Sequence, residues 1–190
     1  MTGARRWQGP SDLHLHSLRS DGTEPPAVVM QAAHRHALRT VALTDHDTTA
    51  GWAEAADAAT SLGMTFISGM ELSAKQDWRS VHILAYLFDP DDAALRAEMN
   101  RIREDRMGRA ERIVQKIARD YDLTWEDVVE QTHGDATVGR PHIADALVAR
   151  GFARDRSDAF DGILHPREGY YVPHYAPDPL AAVRLIVGAG

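Results

Sequence analysis

Two histidines one residue apart stand in the most reactive-looking stretch of the chain, Ser11-Asp-Leu-His-Leu-His-Ser17. On a β-strand, residues two apart share a face, so His14 and His16 converge and can ligate one cation. A pair of histidines on a solvated strand would carry the same spacing. What shifts the balance is the company: Asp21 in the polar stretch that follows, His46 in Thr44-Asp-His-Asp47, Glu71 in Gly69-Met-Glu71, and His82 between Val81 and Ile83. All six are nitrogen or oxygen ligands. The sequence has no cysteine, which excludes a disulfide framework and a thiolate zinc site. Mixed imidazole and carboxylate ligands suit zinc, manganese or iron better than magnesium or calcium. A carboxylate such as Glu71 can bridge two cations. Paired metals suit phosphate-ester hydrolysis, one generating hydroxide while the other neutralises phosphoryl charge.

The elements that must position these groups alternate along the first ninety residues. Ser11 to Ser17 reads as a strand ending in a polar loop, Leu18 to Thr23. Pro25 and Pro26 open a helix over Ala27 to Leu38, as proline does in a first turn. Arg39 to Thr44 is a strand, Thr49 to Leu62 an alanine-rich helix stopped by Gly63, and Met64 to Ser68 the next strand, running into Glu71. Val81 to Phe88 is a fourth apolar run. Strands alternating with helices predict parallel βαβ units, with the site at the carboxyl ends of the strands. Asp21, His46 and Glu71 obey that rule. His82 sits inside its run, where a core histidine is the competing reading.

Beyond Asp91 the pattern turns helical. Asp92 to Asp120 places Leu95, Met99, Ile102, Ile113 and Ile117 among many charges, as in a long amphipathic helix or helix pair. Thr124-Trp-Glu-Asp127 has the spacing of a capped helix start. Helices are predicted over Pro141 to Arg150, ended by Gly151, and over Ser157 to Leu164. Tyr170-Tyr-Val172 is expected to return the chain to the α/β framework, and Pro179 to Val187 begins a last helix. The organisation expected is an α/β part over 11–92 and 167–190, with a helical insertion over 93–166. Ending on Val187-Gly-Ala-Gly190, where a strand should come next, the sequence reads as cut short.

A formal charge of −7 argues against a protein that coats nucleic acid by bulk charge, but leaves room for a local basic pocket. Lys75 and Lys116 are the only lysines. No apolar run is long enough to span a membrane and Met1 to Pro10 lacks a secretory apolar core, so a cytoplasmic protein is expected. Pro141 as a first helical residue would set a helix N-terminus, which favours phosphate, beside Arg140 and His142. Arg140 could add a bidentate grip; a solvated arginine near a helix start is the plainer reading. Lys75 and Tyr171 are further candidates for substrate contact. Arg101, Arg103, Arg106, Arg109 and Arg112 alternate with acids and read as a solvated helix face, although they could border a phosphate cleft. His34 and His36 fall on different faces of a helix and read as structural or solvent-facing. No partner can be named for His133, His165 or His174.

Taken together, the segment 11–17, Ser20-Asp-Gly22, Thr44-Asp-His-Asp47, Gly69-Met-Glu71 and His82-Ile-Leu-Ala-Tyr86 resemble the successive motifs of the PHP (polymerase and histidinol phosphatase) family, and in particular its stand-alone bacterial phosphoesterases. Gly139-Arg-Pro-His-Ile-Ala144 and Tyr171-Val-Pro173 resemble further motifs around a helical insertion. The resemblance covers residues 11 to 190. It implies a distorted, TIM-like (β/α)7 barrel, here incomplete at its C-terminal end, and two or three divalent metal ions. His14 and His16 would bind the first, Glu71 would bridge to a second that His82 helps complete, and Asp21 with His46 would hold a third. The family draws further ligands from a later Ala-His-Pro-type motif and a late Asp-x-His motif, and the sequence ends before either. The resemblance implies hydrolysis of phosphate esters in nucleoside 3′,5′-bisphosphates or at the 5′ ends of short RNA, by in-line attack of metal-bound hydroxide; no side-chain general acid is identifiable. Histidinol-phosphate phosphatase, or an inactive metal-binding fragment, are the competing expectations.

Overall fold

The computed structural model describes residues 9–77, 79–132 and 136–190, so the expectation for His133 lies outside the described residues. Four strands form a curled, half-barrel sheet in the order β1 (Ser11–Leu15), β2 (Thr40–Leu43), β3 (Thr65–Gln76), β4 (Arg79–Tyr86). The β1–β2 and β2–β3 pairs are parallel, joined by α1 (Pro26–Arg35) and α2 (Trp52–Ser61), as the alternation predicts. β2 is buried at all four residues, in keeping with an apolar run covered on both sides of a parallel sheet. Pro26 starts α1, and Gly63 follows α2 at a φ of +70°, a left-handed conformation glycine takes at little cost.

The fourth run departs from the parallel expectation. β3 continues past Ser68 to Gln76 and pairs with β4 as an antiparallel hairpin, with Ser73 opposite His82 and Glu71 opposite Leu84. Only two residues separate the strands, too few for a parallel crossover. The reversal explains His82: the start of β4, not its end, lies beside the carboxyl-terminal half of β3.

A 25-residue helix, α3 (Ala93–Ile117), follows, capped by the Asp92 carboxylate accepting from the Leu95 N–H. Its first half buries Leu95, Met99 and Ile102 against β3, β4 and the last helix, α7 (Pro179–Gly188). Its second half buries Ala110, Ile113, Val114 and Ile117 in a separate core with α4 (Trp125–Val129), α5 (Arg140–Ala149) and α6 (Arg156–Asp161). One helix thereby serves both the sheet and the helical layer. Thr124 and Asp127 form the capping box that their spacing predicts.

Tyr170 to Val172 forms no strand. The segment is strapped to α3 by its carbonyls: Val172 O accepts from Arg109 Nε at 2.6 Å, and Lys116 Nζ donates to Gly169 O and Tyr171 O. Contact with the sheet comes later, where Pro177 O accepts from the Lys75 N–H at 2.8 Å. Among the described residues no helix is long and apolar enough to cross a membrane.

Candidate metal centre

His14 and His16 come from the end of β1, Asp21 and His46 from the loops after β1 and β2, and Glu71 and His82 from within β3 and β4. His14 lies on β1 and His16 one residue past it, with their rings 5.1 Å apart. The loop behind them folds back on itself: Ser20 N–H and Gly22 N–H both donate to Ser17 O, which places Asp21 beside His16. A Cβ at Gly22 would lie 2.7 Å from His16 O, so only glycine closes this turn. His46 follows β2 and bridges Glu71 of β3 as an isolated parallel pair. His82 reaches Glu71 diagonally across the antiparallel ladder.

The side chains converge on Glu71. His14 Nε2 and His16 Nε2 lie 2.6 Å and 2.9 Å from Oε2, and His82 Nδ1 lies 2.5 Å from Oε1. Asp21 joins the other end, with Oδ1 3.3 Å from His16 Nδ1 and Oδ2 3.6 Å from His46 Nε2. The six residues thus form three overlapping triads: His14, His16 and Glu71; His16, Asp21 and His46; His46, Glu71 and His82. Within each, one ligand atom per residue lies within 4.8 Å of the others. These nitrogen and oxygen donors fit divalent cations, and His46 Nδ1 is a buried nitrogen without a hydrogen-bond partner among the described residues.

Electrostatics bind the cluster together. Burial penalises the charge of Glu71, but hydrogen bonds from His16 and His82 and the charge of His46 outweigh it, holding the carboxyl far below its usual range. Asp21 is held down in the same way, its burial overcome by His16 and His46. Burial opposes a proton on His16, yet Asp21 and Glu71 raise its pKa to about 9.

A buried layer of polar residues backs the cluster. Asp45 accepts from Ser17 N–H and Ser17 Oγ–H (2.7 and 2.6 Å) and from Ser20 Oγ–H (2.7 Å), tying the loop of Asp21 to the end of β2. Asp47, at a φ of +54°, accepts from Ser73 N–H and Oγ–H, both at 2.7 Å. Arg106 of α3 donates from Nη2 to Ser73 Oγ, and its Nε sits 3.0 Å from Asp47 Oδ2. That Nε makes no directed hydrogen bond, so the second contact is an ion pair only.

Next to Asp21, His46 and His82 opens a cleft walled by Arg106, Arg109, Arg140, Phe160, Tyr171 and His174. Of the four predicted substrate contacts, Arg140 and Tyr171 line it and Lys75 and His142 do not. His142 is buried, and its Nδ1 accepts from the Gly139 N–H at 3.2 Å, closing the first turn of α5. Lys75 contributes its backbone N–H to Pro177.

The solvated-face reading of the arginine series fails for Arg109, buried at the cleft, and for Arg106, partly buried there, and Arg101 stacks 3.7 Å over Tyr175. Arg109 lies seven residues after Ile102 and four before Ile113, on the apolar stripe, and that spacing was the available signal. His34 and His36 are exposed, as expected. His165 caps the 3₁₀ turn Pro166–Glu168.

His174 had no nameable partner in the sequence, and the structure sets it in the cleft wall with Nδ1 buried and without a hydrogen-bond partner among the described residues. Burial, and then the charges of Arg109 and Arg106, lower its pKa to about 4. His174 is therefore neutral at pH 7. Because its folded pKa lies below the ordinary 6.5, folding is favoured fully above pH 6.5, and that contribution is lost as the pH falls towards 4. An NMR titration of the ring should show a midpoint near 4; a midpoint near 6.5 would contradict the burial.

Residues 12–123 match the PHP domain, and the chain belongs to that family. A 3′,5′-nucleoside bisphosphate phosphatase of Chromobacterium violaceum is 38% identical over 186 residues, covering 94% of this chain and 63% of the relative. A 5′-3′ exoribonuclease of Haemophilus influenzae is 31% identical, covering 94% and 65%. Among solved structures, a protein of Bifidobacterium adolescentis described as a metal-dependent phosphoesterase superposes with a TM-score of 0.92 at 39% identity, covering 95% of this chain and 64% of that one. An amidohydrolase of Chromobacterium violaceum, solved with sulfate and without metal, gives 0.89 at 36% identity, covering 96% and 64%. The chain thus spans just under two thirds of the length of these relatives.

Proposed function

We propose that this chain carries the site of a metal-dependent phosphoesterase acting on nucleoside 3′,5′-bisphosphates or on the 5′ ends of short RNA. The observation that carries the reading is the adjacency of three ligand triads to a cleft walled by three arginines, Arg109 buried and Arg106 and Arg140 partly so. In this reading His14 and His16 would hold one cation, Glu71 would serve that one and a second that His82 helps hold, and Asp21 and His46 would hold a third. Divalent manganese, zinc or iron bound there would supply a hydroxide at neutral pH and positive charge on the phosphoryl oxygens. The protein's own contribution is orientation. Arg109 and Arg140, both still charged at neutral pH although burial lowers their pKa values, take a second anionic group of the substrate. Phe160 and Tyr171 give a nucleoside an apolar wall. The names of the Chromobacterium and Haemophilus relatives support the same substrate class.

The fold proposed around this site is a distorted seven-stranded β/α barrel, to which 11–92 and 167–190 contribute and into which 93–166 is inserted as a helical subdomain. The proposed setting is the cytoplasm. Parallel assays with adenosine 3′,5′-bisphosphate and histidinol phosphate, with added manganese, test the substrate. Release of phosphate chiefly from the bisphosphate is expected. Preference for histidinol phosphate would replace the substrate class, and full metal loading without turnover on either would leave a binding protein.

A further inference from the structure

We infer that Thr137 and Arg156, both from the helical part of the chain, are positioning residues for one of the three triads, that of His16, Asp21 and His46. The inference rests on the reading of these residues as metal ligands. Glu71 and His82 sit on β3 and β4, where ladder hydrogen bonds fix the backbone, and His14 lies on β1, where the register with β2 shifts between Asp12 and Leu15. Asp21 has no such ladder, and His46 has only its single bridge to Glu71.

Two contacts from the helical layer fall on the backbone of these two residues. Thr137, buried just before α5, donates its Oγ–H to His46 O at 2.8 Å, while its own N–H donates to Arg19 O at 3.0 Å. Thr137 thus joins the loop of Asp21 to the loop of His46. Arg156, at the start of α6, donates from Nη1 to Asp21 O at 3.0 Å. Its guanidinium is fixed in place by a bidentate pair with Asp145 of α5, at 2.5 and 2.6 Å. The pair Asp21–His46, whose side chains lie 3.6 Å apart, is therefore held from behind by two separate elements. Outer contacts that orient ligands change metal affinity by about 10- to 100-fold.

The test is calorimetric titration of the 190-residue chain with manganese. The Asp21→Asn variant marks which equivalent belongs to this triad. Thr137→Val and Arg156→Met should each weaken that same equivalent by about 10- to 100-fold and leave the remaining manganese binding unchanged. Thr137→Ser, which keeps the hydroxyl, should restore it. Combining Thr137→Val with Asp21→Asn should add no further loss, since both act on one site. Uniform weakening of all equivalents, or no change in either variant, would overturn the inference. Should the wild-type chain bind no manganese, the metal reading itself fails and takes this inference with it; wild-type binding unaffected by the two variants refutes the inference alone.

Discussion

Glu71→Gln should abolish metal-dependent turnover, lowering kcat/KM by about 1,000-fold or more, which corresponds to about 4 kcal/mol of lost transition-state stabilisation. The expectation follows from geometry. Both Glu71 oxygens are engaged, Oε2 by His14 and His16 and Oε1 by His82, and the residue takes part in two of the three triads. Glutamine keeps the shape but offers one neutral acceptor and a donor pointing at imidazoles. A bridging role between two cations cannot survive that exchange. The strand should persist, because Met70 and Leu72 on either side are fully buried and β3 pairs on both edges. Assays of phosphate release, with circular dichroism to check the fold, decide it. Activity within tenfold of wild type would remove Glu71 from the centre of the account.

Arg140→Ala should act on binding. Arg140 lies in the cleft wall with its guanidinium 5.0 Å over the Phe160 ring, and among the described residues its one hydrogen-bond acceptor is Leu164 O, at the long distance of 3.5 Å. A cation so weakly engaged by the protein is available to an anionic substrate. Loss of one charge-assisted hydrogen bond costs ~1.5–3 kcal/mol, so KM should rise roughly 10- to 100-fold. kcat should change far less, because the reacting phosphate is assigned to the cluster rather than to this wall. Steady-state kinetics with a bisphosphate nucleotide separate the two. A fall in kcat at constant KM would place Arg140 at the reacting phosphate instead.

How legible the site was depended on the kind of element carrying each residue. His14, His16, Asp21 and His46 stand at a strand end or in the loop beyond it, and Glu71 follows the predicted strand Met64 to Ser68, where period-two alternation and the strand-end rule locate a group without knowledge of the fold. His82 resisted the same rule because its strand is antiparallel. The information needed was that β3 runs on to Gln76 and β4 begins at Arg79, so that β4 had to reverse. The cleft was legible only where a helix start advertised itself, at Gly139-Arg-Pro141. Arg106 and Arg109 were concealed by the acids around them in α3. His174 lies in a stretch with no periodicity, and only packing against α3 brings it to the cleft. His142 illustrates the opposite error: its proximity to a phosphate-favouring helix start suggested substrate, whereas its Nδ1 is occupied by the Gly139 N–H.

The helical half was readable as helices but not as a set of supports. The Thr124 to Asp127 spacing predicts the start of α4, and Gly151 with a φ of +77° ends α5. That α3 divides its apolar stripe between two cores depends on which partners fold against it, as does the strapping of Tyr170 to Val172 onto α3 through Arg109 and Lys116. These are tertiary outcomes with no local signal.

Whether the converging triads are a metal site is decided by the manganese content of the purified wild-type chain after reconstitution, from elemental analysis against protein concentration. At least two equivalents per chain are expected, with Glu71 a candidate ligand to both. Less than one equivalent under saturating manganese would contradict the metal reading.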